Sequence, residues 1–533
     1  MFNITNWIKK RKKARIRTYI RGYNTLIKEN RTDFIGNVRN ELADNPINGE
    51  DLNEIFRSNE KTCFHQFLVY RLINVKFNKA LLTAIANPRK EIYYPLPYLW
   101  RKKLMDTGFK VPKIYNNLLW FKFNLKWYLV GFVTGIIEIC NVALSKKIGT
   151  GKGAAFFNNL YPGNLLKNPN YNSENILEWF SSQEEAKPVN IIYHSCKAKH
   201  NIKLKNKSVE YMRSPLPGNN SLTKFIKFSF WFMSKAIKSL FNEQNRLLLR
   251  QLVLEKIAKL STQSDICGYY LFHNSGHILR PLWSYEAEKK GSKIIFYFYS
   301  TNISSFKVKN KKHTQDFQWQ VTSWTNYWVW NYTQANFLKK HTIKSSDIKI
   351  KGIIPFSTSV HNFTFDKSKK KKTLLVFDVQ PVKSYIYAAL APTVDFYSEN
   401  NMIIFLNWIN DLAEIHNLKV FIKRKRHSVI TSKKYINKLN KLKKIHGWCE
   451  IEPEIEANYV CSKLQPVASI SIPFTSAAII SKENKIPSAY LDPTKNLDKK
   501  FLINNEVSLL LSKEELFQWY IKHVIKNNEK VKN

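Results

Sequence analysis

Residues 467–492 read VASISIPFTSAAIISKENKIPSAYLD. The apolar run 467–472 predicts a buried strand, and Pro473 and Phe474 turn the chain. Thr475 and Ser476 then open a helix built on Ala-Ala-Ile-Ile, and Ser488–Leu491 predicts a second strand. Near-continuous apolar strands on either side of a helix mark a parallel sheet covered on both faces. Hydroxyl residues at a helix start cap its free N–H groups. The same helix end carries roughly half a unit of positive charge and is a ready anion site. Its position at the carboxyl end of a parallel strand, where open α/β sheets bind ligands, strengthens the second reading.

The same alternation extends outward in both directions. Thr373–Phe377 (TLLVF) and Leu418–Ile422 (LKVFI) predict strands, with helices over 403–416 and 431–443. Upstream, Val189–Tyr193, Tyr269–Phe272, Lys293–Tyr299, Trp324–Trp330 and Ile348–Ile353 predict strands, and 228–260 a long helical region. The charge run 367–372 marks a linker over roughly 360–372. The predicted class is therefore α/β: two doubly wound Rossmann-like domains facing a cleft, preceded by a mainly helical N-terminal domain. The boundaries read as 1–118 (basic, helical), 119–186 (hydrophobic helix and polar connection), 187–362 (first Rossmann-like, acceptor domain), 370–500 (second Rossmann-like, nucleotide-donor domain) and 501–533 (helical segment). Within the connection, Lys146–Gly153 (KKIGTGKG) lacks the spacing of a phosphate loop.

Over the 533 residues, 85 Lys+Arg against 40 Asp+Glu give a net charge of +45. Such an excess suits nucleic acid, an anionic membrane or a polyanionic substrate. The cations are spread along the chain with no nucleic-acid-binding signature, so no specific nucleic-acid partner is expected. At 44% hydrophobic and 14% aromatic, the composition excludes wholesale disorder. Six scattered cysteines without a CxxC pair exclude a disulfide framework and fit a reducing compartment. The N-terminus is basic without an apolar run, unlike a secretory signal. Its segment Lys9–Arg17 suits either a basic helix on an anionic membrane surface or a solvated helix. Residues 127–145 carry one charge, Glu138, and a GxxxG pair at Gly131 and Gly135. They read first as a buried core helix, then as an interfacial helix, and last as a span.

Candidate site residues cluster at strand ends. After Leu418–Ile422 stands the basic turn Lys423-Arg424-Lys425-Arg426, able to clasp a diphosphate from the side opposite the 475–476 helix start, or to remain a solvated turn. Alternation does not choose between Lys423/Lys425 and Arg424/Arg426. Asp378 ends the first strand of the second domain and would contact a ligand or cap a turn. His194 and His273 each follow a strand, and Glu286 lies on the next helix; these are the candidates for a general base. The aromatics 297–299 and 319–332 read half as core and half as sugar-stacking faces. No DxD triplet and no His/Cys/Asp cluster with metal spacing occurs, so no metal or resident cofactor is expected, and leaving-group charge would fall to Lys/Arg and a helix N-terminus.

The segments IPFTSAAIISKENKIPSAYLDP, VFDVQP (376–381) and the basic turn resemble the bacterial polysaccharide biosynthesis family named for its PFTS motif, as do LWSYEAEKKGSKIIFYFYSTN (282–302) and TNYWVWNYTQANFL (325–338). The resemblance spans about 187–495. It implies a glycosyltransferase of two-Rossmann GT-B architecture, in which Pro473, Phe474, Thr475 and Ser476 contribute to the donor phosphate site and Lys423 and Arg426 are its cationic partners. A Ser/Thr motif after a strand is also similar to that of bacterial transferases using CMP-activated acidic sugars, whose basic segment includes a His-Pro pair. Here Arg426-His427 is followed by Ser428, so the nucleotide stays open.

The expected activity is a metal-independent transfer of sugar from a nucleotide-sugar donor to a surface-polysaccharide or lipid-linked glycan acceptor. The expected location is cytoplasmic, peripheral on the inner face of the cell membrane. The alternatives are a sugar-nucleotide epimerase, a glycerophosphate-type transferase on the same fold, or a non-enzymatic membrane- or nucleic-acid-binding protein.

Overall fold

The computed structural model describes residues 4–46, 51–144, 151–165, 175–196, 199, 201–204, 206–216, 222–276, 278–301, 309, 317–342, 346–356, 372–390, 396–425, 431–473, 475–499 and 507–526. The linker expected at 360–372 falls almost wholly outside them, as do Phe474 and Arg426.

Two sheets organise the chain. The first comprises β1 (Ala154–Phe157), β2 (Ile191–His194), β3 (Ile202–Leu204), β4 (Lys207–Tyr211), β5 (Tyr269–His273), β6 (Lys293–Tyr297), β7 (Asn326–Val329) and β8 (Asp347–Ile350). Their order is β3-β4-β2-β1-β5-β6-β7-β8, and only the β3–β4 pair is antiparallel. The second comprises β9 (Thr373–Phe377), β10 (Lys419–Lys423), β11 (Cys449–Ile451), β12 (Ala468–Ser471), β13 (Ser488–Leu491) and β14 (Ser508–Leu510). Its order is β11-β10-β9-β12-β13-β14, parallel throughout. Each sheet starts at its centre, winds one way, then reverses. The strand order changes sense between β1 and β5 in the first sheet, and between β9 and β12 in the second. Ligands of doubly wound sheets sit at the carboxyl side of such points.

Three expectations need correction. The polar connection within 119–186 holds β1, which pairs with both β2 and β5 at the centre of the first sheet. Its four residues, AAFF, are buried throughout, so no polar–apolar alternation announces them. The long helical region 228–260 is two helices, Leu222–Phe241 and Glu243–Leu260. Asn242 breaks them, its Oδ1 accepting from Asn245 N at 2.9 Å as a helix cap. Finally, the second domain runs past 500. Strand β14 extends its sheet, and the helix Lys513–Tyr520 buries Leu516, Trp519 and Tyr520 in the core shared with β9, β10 and β12.

The N-terminal helices are not a separate ball. Asn59–Leu72 and Val75–Ile85 share one core with Glu243–Leu260, with Leu282–Lys289 and with Tyr387 and Ala388 of the helix Ser384–Leu390. Burying a Leu or Phe side chain stabilises by ~1.5–3 kcal/mol, so this shared core ties the N-terminal helices to both sheets. Polar contacts fix its register. Gln66 Nε2 donates to the Val321 carbonyl at 2.7 Å and to Ser323 Oγ at 2.8 Å, while its Oε1 accepts from Arg280 N at 3.0 Å. The wholly buried Arg280 guanidinium donates to Ser323 O at 2.9 Å and to Glu288 at 2.6 Å. A buried charge persists only when paired in this way.

The helix Lys113–Leu144 contains the apolar stretch expected to be core. Only 17% of its most apolar stretch is buried, so it is a surface helix along most of its length. Among the described residues it is the one helix long and apolar enough, by length and composition, to cross a membrane.

Candidate functional site

Strand β12 delivers its carboxyl end to a turn pinned from two directions. Tyr397 OH donates to the Pro473 carbonyl at 3.0 Å, and Tyr490 OH, from β13, donates to the Thr475 carbonyl at 2.9 Å. The helix Ser476–Glu483 follows. Thr475 occupies its cap position without capping it: Oγ1 turns back and donates to the Ile472 carbonyl at 3.1 Å. The capping expectation is therefore corrected. This hydroxyl closes the strand-to-helix turn and leaves the first helical N–H groups to other partners.

Ser476 makes a contact that no local pattern foretells. Its Oγ accepts from Thr301 N at 2.8 Å and from Thr301 Oγ1 at 3.1 Å. Thr301 lies four residues past the end of β6, so the carboxyl edge of the first sheet reaches the helix start of the second. Apolar packing accompanies it, because Ala478, Ile479 and Tyr490 belong to the same buried cluster as the strands of the first sheet.

Across the switch point, β9 ends at the buried Asp378, whose Oδ2 accepts from Tyr435 OH. Burial pushes this carboxyl up to about 7, against the pull of Arg424, the Lys425 amide and Lys423. Lys423, at the end of β10, is buried beside it. Burial lowers its ammonium to about 8, while Asp378, Glu454 and Glu456 draw it back up. Its Nζ donates to the Pro453 carbonyl at 2.7 Å. Arg424 turns to an ion pair with Glu450, and Lys425 is exposed. The structure thus brings Asp378, Lys423, Thr475 and Ser476 to one sheet edge. It commits Lys423 and Arg424 to protein partners as well, which the sequence alone did not reveal.

The first sheet has its own switch-point group. His273 ends β5, and its Nε2–H donates to the Asn159 carbonyl, beyond β1, at 3.1 Å. Nδ1 accepts from Ser275 N at 3.3 Å, so the ring is neutral in this arrangement, and burial lowers its pKa. Four rings surround it: Tyr161, Tyr297, Tyr299 and Phe356, with centroids 5.4–6.1 Å away. Tyr299 and Phe356 stack at 4.2 Å. Asn159, Tyr161 and Phe356 were missed because they lie in turns without a motif; only their place after β1 and β8 gives them meaning.

The other two base candidates lie elsewhere. His194 is fully buried at the end of β2, where Nδ1 accepts from Cys196 N at 3.1 Å. Glu286 accepts from Lys289 Nζ at 2.7 Å and faces Glu255 and Lys259 of the neighbouring helix. Neither shares the His273 group. Of the aromatics, Trp319, Trp324, Tyr327, Trp328 and Trp330 are core, whereas Tyr332 is 71% exposed.

The architecture is that of a mixed α/β protein with two parallel, Rossmann-like sheets whose carboxyl edges carry the polar residues. The chain belongs to the polysaccharide biosynthesis PFTS motif proteins, whose family model matches residues 224–520, more than half of its length. No curated protein sequence matches it. Among solved structures it is similar to UDP-GlcNAc 2-epimerase from Methanocaldococcus jannaschii, at 10% identity and a TM-score of 0.37, covering 70% of this chain and 92% of that one. It is also similar to a UDP-glucosyltransferase from Polygonum tinctorium, at 7% identity and a TM-score of 0.36, covering 70% and 90%. Both likenesses are remote and say nothing of the reaction.

Proposed function

We propose that the chain is a glycosyltransferase moving a sugar from a nucleotide-activated donor onto a surface-polysaccharide or lipid-linked glycan acceptor at the inner face of the cell membrane. The two sheets act as the halves of a GT-B-like pair, with the donor held by the second and the acceptor by the first. The observation that carries this reading is the start of the helix Ser476–Glu483. It lies at a switch point, its cap residue makes no side-chain bond to the helix amides, and Ser476 faces Thr301 of the other sheet. A donor diphosphate would accept from those amides and from Ser476 Oγ, and Lys423 and Lys425 would add positive charge. By the resemblance to the family, Arg426 and Phe474 would join the donor group.

No metal is needed in this scheme. Charge developing on the leaving diphosphate falls on the helix N-terminus and the cations, fixed in place before reaction. Asp378, half-protonated near pH 7, would in its protonated form hydrogen-bond a donor hydroxyl or phosphate. In an inverting transfer His273 would take the acceptor proton on Nδ1, exchanging its hydrogen bond from Ser275 N for one from the acceptor, while Asn159 holds Nε2–H and fixes the tautomer. The rings of Tyr299 and Phe356 offer apolar faces to a sugar.

The test is a thermal-shift series with UDP, GDP, CMP, CDP and TDP, without and with Mg²⁺. One nucleotide at ~100 times its Kd adds about 2.7 kcal/mol of stability. The expected result is that one stabilises the chain without metal and that Ser476→Glu, which sets a carboxylate against the phosphates, abolishes the effect. If no nucleotide acts, or the variant responds like the wild type, the reading fails. Product analysis with the nucleotide-sugar then separates transfer from epimerisation.

A further inference from the structure

The helices Lys113–Leu144 and Leu222–Phe241 pack on each other and on Glu243–Leu260. Two glycines set the contact. A Cβ on Gly131 would lie 2.6 Å from Leu249 Cβ and 2.8 Å from Arg250 N, and one on Gly135 would lie 2.0 Å from the Phe232 ring. The glycine pair is thus a close approach inside the chain, and it fixes which face of the first helix looks inward. Polar side chains hold that face over its first turns. Asn116 Nδ2 donates to Ile92 O at 3.0 Å, Trp120 Nε1 to Glu243 at 2.9 Å, and Asn124 Oδ1 accepts from Arg246 Nε at 3.2 Å.

The opposite faces are apolar and uncovered. On the first helix the outward stripe runs through Ile114, Leu118, Phe121, Leu125 and Leu129, with Ile114 78% exposed. On the second it runs through Leu222, Ile226, Phe230, Met233, Ile237 and Phe241, with Phe230 76% and Phe241 87% exposed. Spacings of three and four residues keep each stripe on one side of its helix. Helices of 32 and 20 residues make this face larger than the scattered apolar residues of an ordinary soluble surface. Lys122 and Lys126 border the first stripe, and Lys227 and Lys238 the second. The helix Leu222–Phe241 contains no Asp or Glu. The single acid of the other, Glu138, is half-buried and accepts from Asn141 Nδ2 at 3.2 Å.

We propose that this two-helix face is a docking surface for an anionic membrane leaflet, with both helices lying in the boundary between headgroups and acyl chains. Apolar stripes bordered by lysines match that layer on both counts: hydrocarbon below, negative charge at the rim. A second copy of the chain fits worse, because its identical face would oppose lysine to lysine. A spanning helix fits worse still, since withdrawing Lys113–Leu144 would break the bonds of Asn116, Trp120 and Asn124. The proposal locates the membrane contact of the function above without resting on its chemistry, and the experiment reads lipid binding rather than turnover.

The experiment is co-sedimentation of the full chain with vesicles of phosphatidylcholine alone and with about 30% phosphatidylglycerol. Binding to the mixed vesicles is expected, with release by an alkaline carbonate wash. Phe121→Glu with Phe230→Glu, both at exposed positions, should weaken binding at least about tenfold with the circular dichroism spectrum unchanged. Lys227→Glu with Lys238→Glu should weaken it by a similar factor, through charge alone. Absence of binding by the wild type, or equal binding by the variants, overturns the proposal. Retention through the carbonate wash overturns it in favour of a span. A dimer that Phe230→Glu dissociates in sedimentation velocity, without lipid binding, assigns the face to a second copy instead.

Discussion

The two sheets wind alike, yet their switch points hold opposite chemistry. At the carboxyl edge of the second sheet lie a helix N-terminus, Asp378 and Lys423, groups that titrate or carry charge near neutrality. At the corresponding edge of the first lies a neutral histidine within four aromatic rings. Topology fixes where a ligand sits, and the side chains that end the strands fix what kind. One edge suits phosphates and the other suits the apolar faces and hydroxyls of a sugar.

The largest expected effect breaks the first edge while sparing the second. His273→Ala should lower the transfer rate by ~10²–10⁴, the usual worth of a positioned base. Nucleotide binding, measured by calorimetry, should be unchanged. A parallel loss of binding would place His273 in the donor site and collapse the distinction.

The next effect sharpens the second edge. Asp378 is held above its ordinary pKa by burial, so its folded form binds a proton that the unfolded chain has released between about pH 4 and 7. Stability contributed by this group is full below that window and lost as pH rises through it. Asp378→Asn removes the titration. Between pH 4.5 and 6.5 the wild type should lose stability relative to the variant by about 1.4 kcal/mol per pH unit, read by urea unfolding. Taking the difference cancels the opposite trend from His65, which burial holds at about 4. A constant difference across the window would refute the placement of Asp378.

The smallest concerns the contact between the edges. Thr301→Val removes the hydroxyl bond to Ser476 but keeps the backbone one, and should cost about 0.5–1.5 kcal/mol in thermal unfolding. A neutral result would mean that the Thr301 hydroxyl does not bond Ser476.

Much of this was legible in the residues. Thr373–Phe377 and Ser488–Leu491 were read with the bounds the structure gives them, because apolar runs ended by turn residues leave little freedom. Strand β1 was not, since AAFF is short and buried on every side. The basic turn was legible as a charge cluster only. Which cation goes to Glu450 and which to Pro453 depends on strands brought together by the fold. The bond from Thr301 to Ser476 joins residues 175 positions apart, and no local pattern encodes it. The apolar helix 113–144 misled because composition records how much apolar surface exists and not which side is covered.

The most direct measurement is hydrogen–deuterium exchange of the full chain with and without the nucleotide that stabilises it. The account predicts slowed exchange at the amides of 476–479, where the diphosphate would be held, with 158–161 and 273–276 unchanged. Protection confined to those first-sheet segments, with 476–479 exchanging as in the free chain, would contradict it.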